Sequence, residues 1–194
     1  MHDAREMIRN PLTTEEVTFV QTASQTNGEK GVVEILIAPR ATGPPVHYHS
    51  AFTESFEVLE GELTLRVGRR TKRLTVGERL TVSKNERHTF WSESDRQTRF
   101  RGTIEPGSVE FENCFRIAFG LARDGLTTSK GVPKQLYHLV VLATMSQSNP
   151  GGLASVLNPI LKLLARTRGA RETRDALIQR YCPSALEVHE PARG

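Results

Sequence analysis

The stretch from Glu16 to Ile104 is what most limits the folds open to this chain. Apolar and polar residues alternate there over short runs, and no segment long enough for a helix intervenes. Residues 17–20, 32–38, 46–49, 54–59, 63–67, 72–76, 79–82, 88–92 and 98–104 each read as a strand, and pairs such as Glu60-Gly61 and Gly77-Glu78 read as the turns between them. Many short strands in close succession close into a sandwich or barrel. A parallel βαβ architecture is excluded, because each of its crossovers needs a helix.

From about Ser108 the texture becomes helical. Phe111, Phe115, Ala118 and Phe119 recur at helical spacing and end at Asp124-Gly125. Leu136, Leu139, Val140 and Ala143 suggest a second helix. Leu153, Val156, Leu157, Ile160, Leu161 and Leu164 lay down one apolar stripe, which Pro159 kinks or splits. Residues 171–181 form a last helix stopped by Pro183. The expected organisation is a β-barrel with N-terminal strands over residues 1–106 and a helical extension over residues 107–194, packed on the barrel or on a dimer partner. Apolar helix stripes and sheet faces that need a cover predict a homodimer.

Composition narrows the class. Hydrophobic residues make up 37% of the 194, enough to offset the entropy of ordering, so a wholly disordered chain is excluded. The longest apolar stretch, residues 136–145, contains His138 and is half of the ~20 residues a membrane-spanning helix needs. The net charge of +4 selects no partner by itself. The C-terminal arginines lack helix-turn-helix spacing, so no nucleic-acid partner is expected. Between Lys162 and Arg180 six basic residues stand against Glu172 and Asp175. They read as a solvated helix face, with contact to a membrane surface as the sharper alternative. Cys114 and Cys182 have no close Cys or His and form neither a zinc motif nor a disulfide framework. The N-terminus shows no apolar leader segment, so a cytoplasmic protein with reduced thiols is expected.

The chemistry concentrates in residues 43–61. His47 and His49 are two apart, so on a strand both imidazoles point to one face. Glu54 opens the next strand, where a bend can bring its carboxylate beside both rings, and His88 opens a later one. Two or three imidazoles with one carboxylate suit a divalent transition metal: Fe, Mn, Ni, Cu or Zn. If Glu54 and His88 face inward, alternation turns Phe56, Val58 and Phe90 inward too, with Leu65 beside them and Trp91 outward. Phe56, Val58, Leu65 and Phe90 are the expected walls of an apolar pocket around the site, open to a small organic ligand or substrate. No second carboxylate stands out as a general base. Glu54 is the candidate proton acceptor.

The spacing resembles the two motifs of the cupin superfamily. His47-Tyr48-His49, four residues, Glu54, six residues and Gly61 are similar to the first motif. Gly77, five residues, Ser83-Lys84-Asn85, two residues and His88 are similar to the second. Where the second motif usually has Pro-x-Gly this chain has Ser83-Lys84-Asn85, and Asn tolerates the positive φ that turn requires. The resemblance implies a double-stranded β-helix, or jelly-roll, barrel followed by C-terminal helices. It also implies His47, His49, Glu54 and His88 as ligands of one metal, and dioxygenase chemistry, as in quercetinase-like members, or isomerase chemistry. A non-catalytic, ligand-sensing cupin is the alternative, since a fold does not set a function.

Overall fold

The computed structural model describes residues 5–150 and 158–182. Among these residues eleven strands and four α-helices follow one another, with a short 3-10 turn at Ser24–Thr26. They are β1 (Met7–Arg9), β2 (Glu16–Gln21), β3 (Gly31–Ile37), β4 (His47–His49), β5 (Thr53–Glu60), β6 (Glu62–Val67), β7 (Arg70–Thr75), β8 (Arg79–Val82), β9 (His88–Trp91), β10 (Thr98–Glu105), α1 (Val109–Arg123), α2 (Leu136–Met145), β11 (Ser148–Pro150), α3 (Asn158–Leu164) and α4 (Arg168–Tyr181). The nine expected strands are all present, with ends moved by a residue or two, as fraying ends do. Two short edge strands, β1 and β11, were not expected.

The strands form two antiparallel sheets, one ordered β1-β2-β3-β10-β5-β8 and the other β11-β4-β9-β6-β7. This is the mainly β jelly roll with a helical extension that the sequence suggests. Alternation sorts the side chains. Val17, Phe19, Ile35, Ile37, Phe56, Val58, Leu63, Leu65, Leu74, Val82 and Phe100 are buried in one cluster between the sheets. On the outer face of the six-stranded sheet Arg101 pairs with Glu34 at 2.9 Å and Glu57 at 3.8 Å.

α1 begins where Ser108 accepts the Phe111 amide at 3.2 Å, leaving Glu110 and Glu112 in the first turn, where the helix dipole favours acids. Phe115, Ala118 and Phe119 reach the barrel core from one side of α1. Ile117 and Leu121 form a second cluster with Val141 and Met145 of α2 and Leu177 of α4. Cys114 and Cys182 lie at the edge of that cluster as free thiols. Pro159 stands in the first turn of α3, where its missing N–H costs nothing. The earlier part of the expected stripe, Leu153, Val156 and Leu157, lies outside the described residues. No helix among the described residues is long and apolar enough to cross a membrane.

Candidate metal centre

His47 and His49 stand on β4, a three-residue strand between β9 and β11. His47 lies directly opposite His88 at the start of β9, and their rings are 4.4 Å apart. All three imidazoles therefore come from the five-stranded sheet. Glu54 comes from the other one, on β5, where it pairs with Ile104 and Val82. The four side chains meet between the sheets, with one possible ligand atom from each inside 4.8 Å of the others. The expected quartet is thus brought together, and it could hold one metal ion.

Two backbone devices set this geometry. Asn85 has φ 65° and donates its amide to the His49 carbonyl at 2.7 Å, so the turn before β9 is docked on the strand that carries the His pair. Gly43 has φ 64°, and a Cβ there would overlap the Phe90 carbonyl oxygen. Only glycine lets the loop before β4 press against β9 this closely. The Thr89 hydroxyl reinforces that contact by donating to the Pro44 carbonyl at 2.6 Å.

The hydrogen bonds assign the tautomers. His47 Nδ1 donates to the Pro45 carbonyl at 2.8 Å, His49 Nδ1 to the Gln147 carbonyl at 3.2 Å and His88 Nδ1 to the Glu86 carbonyl at 3.0 Å. A carbonyl only accepts, so each Nδ1 carries the hydrogen and each Nε2 is left for the centre. That is how metal-binding histidines are held in orientation. Glu54 Oε2 lies 3.0 Å from His88 Nε2 and 3.4 Å from His49 Nε2. His49 Nε2 is buried and, apart from this longer approach to Glu54, has no hydrogen-bond partner among the described residues. A buried ring nitrogen left unpaired in this position fits a cation ligand better than a structural histidine.

The electrostatics agree. Burial pushes the Glu54 carboxyl up, but the bonds and charges of His49 and His88 outweigh it and hold the group well below its ordinary range. Burial pulls His88 down, yet the Glu54 carboxylate outweighs it and raises its pKa. His47 is lowered to about 4, chiefly by burial and further by the neighbouring imidazoles. The Glu54 carboxylate, 3.0 Å away, thus favours the protonated form of His88.

The residues expected to wall the pocket stand inside the barrel, with the Phe56 ring 6.1 Å from that of His88. Phe56, Val58 and Leu65 are at most 1% exposed and are packed as barrel core. Phe90 rests against Phe56 and Phe100, with ring centroids 5.7 and 5.1 Å away. These four line neither of the two cavities beside the site. A barrel this narrow has its interior filled by its own inward side chains. The larger cavity, about 300 Å³, lies instead between residues 44–47 of the barrel and Ala143, Ser146, Ser148, Pro150 and Leu161 of the helical half. A smaller one, about 20 Å³, is lined by Glu54 together with Phe111, Glu112 and Phe115 of α1.

The helical half therefore helps build the site. β11 pairs with β4, setting Ser148 opposite His49 and Pro150 opposite His47. Gln147, at φ 50°, turns its carbonyl to His49. Phe52 stacks on the His49 ring at 4.4 Å, and Phe111 of α1 meets it edge-on at 5.7 Å. Asn149 and Pro150 of β11 are of types that sheets otherwise disfavour. An edge strand, paired on one side only, tolerates them.

A family model described as Cupin domain matches residues 33–105. No curated protein matches the chain. Among solved structures, an RmlC-like cupin from Shewanella frigidimarina shares 22% identity over 57% of this chain and 92% of its own, with a TM-score of 0.48. A sugar phosphate isomerase of the cupin superfamily from Silicibacter pomeroyi shares 17% over 53% of this chain and 72% of its own, at 0.46. A predicted oxalate decarboxylase from Thermotoga maritima shares 16% over 53% and 91%, also at 0.46. The family match and the two-sheet barrel together identify residues 33–105 of this chain as a cupin domain.

Proposed function

We propose that this chain is a metal-dependent single-cupin enzyme acting on a small organic molecule, with oxygenase- or isomerase-type chemistry. One observation carries the reading. Three imidazoles, each with Nδ1 on a backbone carbonyl, offer ligand atoms within 4.8 Å of one carboxylate, and beyond its 3.4 Å approach to Glu54 the buried His49 Nε2 makes no hydrogen bond among the described residues. His47, His49, Glu54 and His88 would hold one divalent Fe, Mn, Ni, Cu or Zn ion, which supplies Lewis acidity and, where redox-active, O2 chemistry.

The chain's own residues do the rest. The 300 Å³ cavity meets the site at His47, and Pro44, Pro45, Val46, Pro150 and Leu161 give it apolar walls. It suits a compact substrate of low polarity held against the imidazole edge. Glu54 is the proton acceptor. Its carboxyl is held well below the ordinary range by His49 and His88, so it would take up a proton on leaving or loosening from the metal. We treat residues 1–106 and 107–194 as barrel and extension acting together, since the cavity needs both. We also take the active form to be a homodimer, supported by Leu136, Ile160 and Leu163, which are 58%, 54% and 66% exposed. Sedimentation should give a dimer, and a monomer across a wide concentration range counts against it.

Elemental analysis of untagged protein, beside His47→Ala and His88→Ala, tests the metal reading. We expect close to one transition metal per chain, lost in both variants. The metal found then chooses the assay, oxygen consumption for a redox metal and isomerase screens for zinc. A protein that is metal-free and takes up none of the five added ions overturns the reading in favour of a non-catalytic ligand-binding barrel.

A further inference from the structure

Glu112 was not singled out in the sequence, and its environment is unusual. It lies in the first turn of α1 with only 3% of its surface exposed. Its Oε1 accepts the Ala23 amide at 2.7 Å, and among the described residues no other protein group donates to this carboxylate. Gly31 makes the room, since a Cβ there would come within 3.0 Å of Oε1. A buried carboxylate with one hydrogen bond is costly unless something else solvates it.

The small cavity beside it offers that something. It measures about 20 Å³, and its acidic walls are Glu112 and the candidate ligand Glu54; Val33, Gly102, Phe111 and Phe115 are among the apolar rest. One water needs ~10–15 Å³ and at least two polar partners. The contacts of Glu54 with His49 and His88 both use Oε2, so Oε1 is the oxygen a water in this cavity would meet.

The geometry points to a single ordered water bridging Glu112 and Glu54, through which Glu112 acts as the positioning residue for the Glu54 carboxylate. The water donates one hydrogen to each carboxylate, holding Glu54 in the plane that faces the imidazoles. α1 is thereby tied to the centre by a polar link as well as by Phe111. The consequence for metal affinity rests on the metal reading above, whereas the water itself does not.

Three variants separate the possibilities. Glu112→Gln keeps an acceptor for Ala23 and for the water. Glu112→Leu removes both. Gly102→Ala fills the cavity and leaves both carboxylates in place, because its Cβ would meet only Val33 Cγ2, at 3.4 Å. A high-resolution crystal structure of the wild type should show one water between the carboxylates, absent from Gly102→Ala. Titration with Mn(II) or Co(II) should show affinity weakened about tenfold or more in Glu112→Leu and Gly102→Ala, and nearly unchanged in Glu112→Gln. The Co(II) absorption spectrum should shift in the same two variants, which a merely structural role of Glu112 would not cause. An empty cavity in the wild-type crystal, or wild-type affinity in Gly102→Ala, overturns the inference. If the wild type binds no metal at all, the metal reading fails by itself and the crystallographic arm alone decides.

Discussion

At the residue scale, the site is made by positions whose partners are backbone atoms. Three carbonyls orient three imidazoles, and none of those carbonyls depends on the side chain that carries it. A mutation at Pro45, Glu86 or Gln147 therefore acts mainly through backbone shape. Asn85 and Gly43 are where that shape is most constrained, because both hold left-handed φ and both press on strands that carry ligands. The titration of the site follows from the same geometry. Metal uptake must displace the proton that Glu54 helps His88 retain, since a ligating imidazole needs a free Nε2. A raised His88 pKa keeps that proton bound to higher pH, so apparent metal affinity should climb as pH rises through the His88 titration. Calorimetry in buffers of different ionisation enthalpy should detect proton release on binding. Affinity that is flat from pH 6 to 8.5, on the order of the ordinary histidine range and just above it, would contradict this account.

At the scale of elements, the helices divide their work. α1 faces the centre with Phe111 and Glu112 and the helical cluster with Ile117 and Leu121. α4 packs on the far side, where Gly120 of α1 lies against the Tyr181 ring and Tyr181 donates to Asp124 at 2.8 Å. A methyl at 120 would collide with that ring. Gly120→Ala should thus destabilise the fold by about 1–3 kcal/mol in urea unfolding, as overpacking does, with metal content unchanged. Equal loss of metal would mean that α4 is coupled to the site more tightly than its position indicates. The strands and helices with strong period, such as β3, β5 and α1, are plain in the sequence. β11 is not, because its three residues have no pattern of their own and are strand only through pairing with β4.

At the scale of the whole molecule, the candidate ligands are split between the two sheets, three from one and one from the other. A bound ion would cross-link the sandwich and stabilise the native state over the unfolded one by mass action. With free metal at a hundred times Kd the gain is about 2.7 kcal/mol. Thermal unfolding of metal-stripped protein should therefore move to higher temperature on adding the native ion, and His88→Ala should show no such shift. A wild type that melts at the same temperature with and without metal would count against the cross-link.

Residue types and spacings pointed to a β sandwich or barrel with a helical extension, and the resemblance to the cupin motifs implied the jelly roll and the candidate quartet His47, His49, Glu54 and His88. Those depend on strand period and turn chemistry, which are local, and on motif spacing. The walls of the cavity, the carbonyl that orients His49 and the burial of Glu112 were decided only by tertiary structure. Each depends on residues about 60 to 100 positions apart in the chain, such as Gln147 against His49 or Glu112 against Glu54. Alternation also said which side chains face inward without saying whether the space there stays open. Close packing places Phe56, Val58 and Leu65 in the barrel core with Phe90 against them, and a cavity of about 300 Å³ lies at the seam between barrel and helices.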